Sequence, residues 1–452
     1  MVRGLFPALS YAPRISATRI GLLFARPIRK AYFDVSSFPP ASTSASASAF
    51  TSASSAPLHL GVALDGAGRH PAAWREPGAR PGELFTARYW AGLAAEAETG
   101  LLDFVSFEDS LALQSSPADG QGGPDGQDGP DGPTDRVRGR LDAVLVAARV
   151  APLTRHIGLV PAVTATHTEP FHISKAIATL DHVSRGRAGL WIQVSGLPDE
   201  ARHFGRRTGP LEEAELHAEA ADHVEVIRRL WDSWEDDAEI RDVATGRFVD
   251  RDKLHYIDFE GRHFSVRGPS ITPRPPQGQP VVGASGDGEA SYALVARATD
   301  VGYVPAHDGD GTRAAVAAIR RAREATGLAA QPLHLFGDLT VFLDADAPAA
   351  AARLERLDAL AGLPYGGGGA VFTGNPGELA DLLLERREAG LSGFVLRPGV
   401  IRHDLPAITR DLVPELQRRG VFRRAYEADT LRGLLGLDRP ANRYAAHAHP
   451  AA

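Results

Sequence analysis

The fold is decided by residues 157–195, IGLVPAVTATHTEPFHISKAIATLDHVSRGRAGLWIQVS. A short apolar run, Ile157–Pro161, leads into an amphipathic stretch, Glu169–Val183, and then a second apolar run, Ala188–Val194. Short runs bounded by Gly and Pro read as strands, and the longer amphipathic period reads as a helix. Strand, helix and strand in this order form the unit of a parallel sheet, because parallel neighbours need a long crossover connection.

The alternation extends in both directions. Further strands are expected at Leu58–Leu64, Leu102–Phe107, Pro280–Ala284, Val301–Val304, Leu333–Leu343 and Gly393–Leu396. Helices are expected at Leu84–Glu98, Leu141–Val150, Glu212–Trp234, Glu289–Ala298, Thr312–Ala325, Ala347–Ala361, Glu378–Ala389 and Leu405–Arg418. Eight strands, each followed by a helix, favour an α/β fold of the (β/α)8 TIM-barrel type over an open doubly wound sheet. The barrel is expected over residues 58–420, with insertions at 115–135 and 236–278 and a C-terminal tail over 421–452. The first insertion repeats Gly-Pro-Asp-Gly within Pro117–Thr134, which makes turns and reads as a mobile surface loop. Within the second, His255–Phe264 turns at Glu260-Gly261 and reads as a hairpin, followed by the Pro-rich stretch Pro269–Pro276. Gly366–Gly369, ahead of the strand-like Ala370-Val371-Phe372, reads as a flexible connection.

The 452 residues carry 49 Lys+Arg and 56 Asp+Glu, a formal charge of -7, no Cys and one Met, which is Met1. Without Cys there is no disulfide framework, thiolate nucleophile or zinc ribbon. A mildly acidic chain lacks the basic face that nucleic acid needs. Of the basic residues, Lys30, Lys175 and Lys253 are the only Lys. So strong an Arg bias reads as codon usage, which lowers the weight of any single Arg. Met1–Pro57 differs from the rest: it is Arg-rich and Ser-rich, Asp34 is its single acid, and a Ser/Ala run closes it. It reads as an extension outside the barrel, either disordered or arising from a start codon placed too far upstream. Neither a secretory signal nor a membrane-length apolar run is present, so a cytoplasmic location is expected.

Chemistry in a barrel of this type lies at the C-terminal ends of the strands. The polar residues there are Asp65, His70, Trp74 and Arg75; Glu108-Asp109-Ser110; Thr164 to Glu169; Ser195-Gly196; and Ser285-Gly286-Asp287-Gly288. The last group, at a helix start, can hold a phosphate or form a capped turn. Asp109 can bond a ring N–H or cap a helix. His167 can serve as a ligand or proton donor. Trp191 can stack on a flat ring or fill the core. The 16 His show no metal-binding spacing. No G-x-G-x-x-G follows a strand, and there is no Gly-x-Ser-x-Gly elbow. With so little chemistry of its own, the chain points to an organic cofactor.

Several motifs occur in an order that resembles the bacterial luciferase-like flavin monooxygenases, in the branch of nitrilotriacetate monooxygenase component A. They are Thr166-His167-Thr168-Glu169-Pro170-Phe171-His172, Ala178 to Ser184, Gly186-Arg187-Ala188-Gly189, Arg229 to Asp237, Val266-Arg267-Gly268-Pro269 and Pro276-Gln277-Gly278-Gln279-Pro280. The likeness runs from about Leu58 to about Leu416. It implies a barrel that takes reduced FMN (FMNH2) from a separate NAD(P)H-dependent flavin reductase. A flavin C4a-peroxide formed with O2 would oxygenate a small organic substrate, in a pocket kept dry. By position, the resemblance assigns Asp109, Thr164, Ser195 and Ser285 to flavin binding, together with His217, which stands where relatives usually have Tyr; Gly286 joins them as an N–H donor that a flavin phosphate could use. Leu190-Trp191 stands where the family has Trp-Asn. His167 is the expected catalytic polar group beside the flavin. A homodimer or higher homo-oligomer is expected. An F420-dependent oxidoreductase of the same fold, or a barrel that binds flavin without turnover, are the alternatives.

Overall fold

The structure is a computed structural model, and it describes residues 57–113, 134–205, 207 and 212–445. The expected N-terminal extension, save Pro57, and the Gly-Pro-Asp-Gly loop, save Thr134, lie outside the described residues.

Among the described residues, eight parallel strands close into a barrel. They are β1 (His59–Leu64), β2 (Phe104–Phe107), β3 (Gly158–Thr164), β4 (Gly189–Gln193), β5 (Val281–Ser285), β6 (Val301–Pro305), β7 (His334–Leu343) and β8 (Gly393–Pro398). Each pairs with the next, and β8 closes on β1 with His59 opposite Gly393 and Val62 opposite Leu396. All eight fall where the apolar runs placed them. In the quoted stretch, Pro170 opens the helix Pro170–Ser184, and Arg185 and Gly186, both at positive φ, end it. Asp181 then accepts hydrogen bonds from the backbone N–H groups of Ala188 and Gln277, fastening the crossover to the foot of β4.

The barrel is filled by setting aromatics against glycine. A Cβ at Gly61 would lie 2.4 Å from the Phe104 ring, and one at Gly283 would lie 2.7 Å from the Tyr303 ring. Below this layer the C-terminal segment closes the barrel. Leu431, Leu435 and Leu437 are buried in the same cluster as Phe104, Val160, Val281 and Val301. A Cβ at Gly158 would meet Leu431 at 2.6 Å. Arg423 reaches the fully buried Asp103 at 2.6 Å, which also accepts from the Leu60 N–H and bonds His59. Residues 421–437 therefore close the foot of the barrel, and residues 439–444 run on to the outer flank, where Arg439 meets Asp236 and Asn442 donates to the Asp232 and Trp234 carbonyls, so the expected tail is packed against the barrel.

A ninth strand, Ala370–Gly374, pairs with Leu339–Leu343. β7 is twice as long as β6, which covers only His334–Asp338, so its upper edge needs another partner. The stretch expected to be strand-like, Ala370-Val371-Phe372, is the start of this strand. The 236–278 insertion holds the expected hairpin, Phe259–Glu260 with Ser265–Val266, and a second one, Glu239–Asp242 with Arg247–Val249. Ile257 and Phe259 pack on Val226 and Leu230, so the insertion runs along the outer flank of the helix Glu213–Asp232.

If the C-terminal segment is the floor, Leu431→Ala should cost about 2–5 kcal/mol, the range for a buried Leu truncation. Urea denaturation checks this, and a change near zero would return residues 421–437 to the status of a tail.

Candidate functional site at the barrel mouth

Side chains two apart on a strand share a face. Trp191 points into the barrel, so Gln193 does too. Phe104 inward makes Ser106 and Glu108 inward. By the same parity Thr164 follows Ala162, Ser285 follows Gly283, and Arg397 follows Val395. The mouth is therefore lined by Glu108, Thr164, Gln193, Ser285 and Arg397, with Thr164 and Gln193 directly opposed in register.

Arg397 organises this layer. Its Nε and Nη2 donate to the two oxygens of Asp338 at 2.5 and 2.8 Å, and its Nη1 donates to Glu108 Oε1 at 2.5 Å. The guanidinium carbon lies 5.0 Å from the centre of the Trp191 ring, and that ring stacks on Tyr303 at 4.0 Å. Burial disfavours ionised Glu108, but the charges of Arg397, Arg69 and Arg140 outweigh it and hold the carboxyl below its usual range. Burial also pushes the Tyr303 phenol far up, so it stays neutral. The indole N–H of Trp191 and the hydroxyl of Ser106 are buried without a partner. An orphaned buried donor inside a barrel mouth is costly unless something else meets it.

A second cluster sits beside the mouth. His167 is buried, stacks on Phe204 at 5.2 Å, and its Nε2 has no partner. Burial, with Arg207 second, lowers its pKa against the pull of Glu200 and Glu219. The ring is therefore neutral at pH 7. Glu200 accepts from the Ser110 hydroxyl and the Leu111 N–H, tying the loop after β2 to the helix Pro198–Phe204.

The residues expected at the site divide. Thr164 and Ser285 face the mouth. Ser195 is buried at the top of β4, where its N–H donates to Thr166 and its hydroxyl accepts from the Leu197 N–H, leaving a donor unspent. His217 donates from Nδ1 to the Glu213 carbonyl, which leaves Nε2 as an acceptor in the neutral ring. Two of the expected residues have polar atoms engaged within the chain. The Asp109 carboxylate accepts from the Ser110 and Ala143 N–H groups, so it caps the start of the helix Ala143–Val150. The inward-facing acid is its neighbour, Glu108. The Gly286 N–H donates to the Tyr303 carbonyl at 2.7 Å, and the next two N–H groups donate to the Ser291 hydroxyl. None of those three donors is left for a phosphate. Sequence reasoning passed over Arg397, Asp338 and Gln193. Their signal was present: each is a polar residue inside an otherwise apolar strand, which in a barrel buried on both faces points inward.

A parallel barrel with its polar groups gathered at the C-terminal mouth, and with orphaned buried donors there, defines a cofactor-using barrel enzyme. Residues 69–393 match the model of the luciferase-like monooxygenase family, and the chain belongs to that family. It is 32% identical over 450 residues to N-acetyl-S-(2-succino)cysteine monooxygenase of Bacillus subtilis strain 168, covering 86% of this chain and 98% of that protein. It is 29% identical to nitrilotriacetate monooxygenase component A of Aminobacter aminovorans, covering 85% and 97%. A solved long-chain alkane monooxygenase shares the fold with a TM-score of 0.73 at 23% identity, over 87% of this chain and 99% of that one. An F420-dependent secondary alcohol dehydrogenase is a more distant fold relative, at 0.56 and 13%. The chain is thus an enzyme, a flavin-dependent monooxygenase, and of the alternatives the F420-dependent reading is the less supported. No helix among the described residues is long and apolar enough to cross a membrane.

Removing the guanidinium by Arg397→Met takes its partner from the part-buried Asp338 and leaves Glu108 with only Arg69 and Arg140, and should cost up to about 3–5 kcal/mol, the figure for a fully buried pair. Adding Glu108→Gln and Asp338→Asn should restore most of it. Because folding favours ionised Glu108, its contribution is complete above the ordinary glutamate value of about 4.3 and is lost as pH falls below it. Glu108→Gln should flatten that acid limb of a Tm-against-pH curve; an unchanged limb would clear Glu108 of the effect. NMR titration of His167 should give a midpoint below the usual imidazole value of about 6.5. Arg207→Gln should move it up, and a downward move would contradict the electrostatics described.

Proposed function

We propose that this chain is the oxygenase component of a two-component system. It takes FMNH2 from a separate NAD(P)H-dependent flavin reductase and uses O2 to oxygenate a small organic substrate. The observation that carries the reading is the unpartnered indole N–H of Trp191, buried beneath a hydrogen-bonding rim, in a chain of a monooxygenase family.

A flavin presents a flat ring, polar atoms on the ring edge and an anionic phosphate, and these residues fit it. The Trp191–Tyr303 stack and Arg397 offer a flat floor. Trp191 Nε1, Gln193 and Thr164 offer edge partners. The Ser195 and Ser285 hydroxyls would donate to the phosphate, and His217 Nε2, an acceptor, would take a hydroxyl of the chain that carries it. Bound reduced flavin supplies the electrons that activate O2. The protein contributes position and exclusion of water, since Arg397, Glu108 and Asp338 are held to each other before anything binds. Neutral His167, unpaired at Nε2, is the group that moves a proton beside the ring. A homodimer or higher homo-oligomer and a cytoplasmic location belong to the same reading.

With FMN, a flavin reductase, NADH and O2, the protein should give substrate-dependent oxygenated product, and exclusive binding of F420H2 would overturn the reading. Ser285→Asp puts a negative charge on the phosphate side and should weaken FMNH2 binding about tenfold, the size of one like-charge contact near a surface. Fluorescence titration under anaerobic conditions checks this; unchanged affinity removes Ser285 from the site.

A further inference from the structure

The loop that follows β1 folds back over the end of β8, the strand that carries Arg397. The Ile401 N–H donates to the Ala67 carbonyl at 2.9 Å, and the Arg69 and His70 N–H groups donate to the Pro398 and Gly399 carbonyls at 3.0 and 3.1 Å. The two backbones lie so close that a Cβ at Gly68 would strike the Gly399 carbonyl. Arg69, next in the chain to His70, lies 3.7 Å from Asp65 and is one of the charges that favour ionised Glu108. The position of this loop therefore sets part of the field around the Arg397 cluster.

The ring of His70 decides where the loop lies. It is buried, set between Phe342 of β7 at 6.1 Å and Tyr365 at 5.3 Å. Its Nδ1 stands 3.1 Å from the Ala72 backbone nitrogen, whose N–H can only donate, so Nδ1 is the acceptor and Nε2 carries the proton. Nε2 then donates to Asp358 Oδ1 at 3.0 Å, an oxygen that also accepts from the Tyr365 N–H at 2.7 Å. Asp358 belongs to the helix Ala347–Ala361, and Arg75 of the same loop donates to the Leu360 carbonyl of that helix. One neutral ring thus ties the loop to the helix after β7, while the backbone beside it ties the loop to β8. A protonated ring cannot keep both bonds, because it would set one N–H against another at Ala72. The carboxylates facing the ring are Asp358 from the helix and Glu76 from its own loop, the latter engaged by Arg356 at 2.8 Å. From β7 and the end of β8 come Phe342 and Gly399, which bring no charge. Burial outweighs both carboxylates and lowers the pKa of the ring.

We propose that His70 is a positioning residue for the barrel mouth: its neutral, Nε2-protonated ring clasps the loop after β1 across the end of β8 and so fixes Arg69 and Arg397 beside Glu108. The effect on turnover rests on the oxygenase reading; the clasp itself does not. The clasp is complete above the ordinary imidazole value of about 6.5 and is lost as pH falls through the lower value of the folded chain.

NMR of the flavin-free protein tests the clasp. Above neutral pH the His70 ring nitrogens should show the proton on Nε2. The signal of the Arg397 Nε–H, which donates to Asp338, should shift in His70→Ala at every pH, and in the unsubstituted chain as the ring gains its proton. In His70→Gln, whose amide N–H can reach Asp358 and does not titrate, the signal should hold its place until carboxylates titrate at about pH 4. With FMN, a flavin reductase, NADH and O2, His70→Ala should lower turnover about tenfold or more, the scale of a small misplacement. His70→Gln should restore most of that turnover and displace its acid limb to lower pH. A proton on Nδ1, a Gln variant that follows the original pH course, or an Arg397 signal unmoved by His70→Ala would overturn the proposal, the last even if the thermal transition drops, since packing alone would explain that. NMR signals as expected without product remove the oxygenase and keep the clasp; product with an unmoved Arg397 signal removes the clasp.

Discussion

One guanidinium, that of Arg397, holds the mouth of the barrel together. It stands on the last strand and bonds carboxylates on β7 and just beyond β2, while covering an indole on β4. Those elements are far apart in sequence and meet only because the sheet closes. Such a cluster is not a cheap source of stability. Taking three charges out of water costs several kcal/mol per ion, and an apolar replacement of equal volume is often as stable. What the cluster provides is fixed geometry: two carboxylates and a planar cation whose positions are settled before any ligand arrives, which is what a site for a flat polar cofactor requires.

The other end of the barrel is sealed. Leu431, Leu435 and Leu437 fill the bottom of the barrel, and Phe104, Phe336 and Tyr303 form the layer above them. The charge at this foot is paired: Arg423 donates to the buried Asp103, which also bonds His59. At the mouth, loops bring Arg69 and Arg140 within electrostatic reach of Glu108. The barrel thus runs from a sealed foot, through aromatic rings, to paired charge at the open rim, and the rim is the end that a ligand meets.

The sequence made the barrel legible because each strand and helix states its own period. All eight closing strands could be found from short apolar runs between Gly and Pro. What escaped depended on distant partners. The floor exists because Leu431 finds Gly158, and that fact is not local. The same distinction divides the site. Thr164 and Ser285 follow from strand parity alone. Asp109 looked like a ligand until the Ala143 N–H, across the 114–133 segment, was seen to take its carboxylate. Gly286 looked like an anion donor until Tyr303 on the neighbouring strand took its N–H. Arg397 was discounted because this chain uses Arg almost everywhere that it needs a cation. Composition explained the residue type and hid the position, although an Arg within the run Gly393–Pro398 must face inward or break the sheet.

The absence of sulfur has a structural counterpart. The chain has no Cys, and its one Met is Met1. Met is the usual filler of irregular gaps because it is flexible. Here the gaps are filled by rings against glycine, with Phe104 over Gly61 and Tyr303 over Gly283. A ring wedged where a Cβ would not fit has few alternative rotamers, so the layer beneath the mouth is stiffer than a Met-filled one of the same volume. That stiffness reaches the site directly, because Tyr303 carries the Trp191 ring and Trp191 carries the guanidinium. A barrel that handles O2 with reduced flavin gains twice from this arrangement: the interior holds no thioether to oxidise, and the floor of the pocket does not give way.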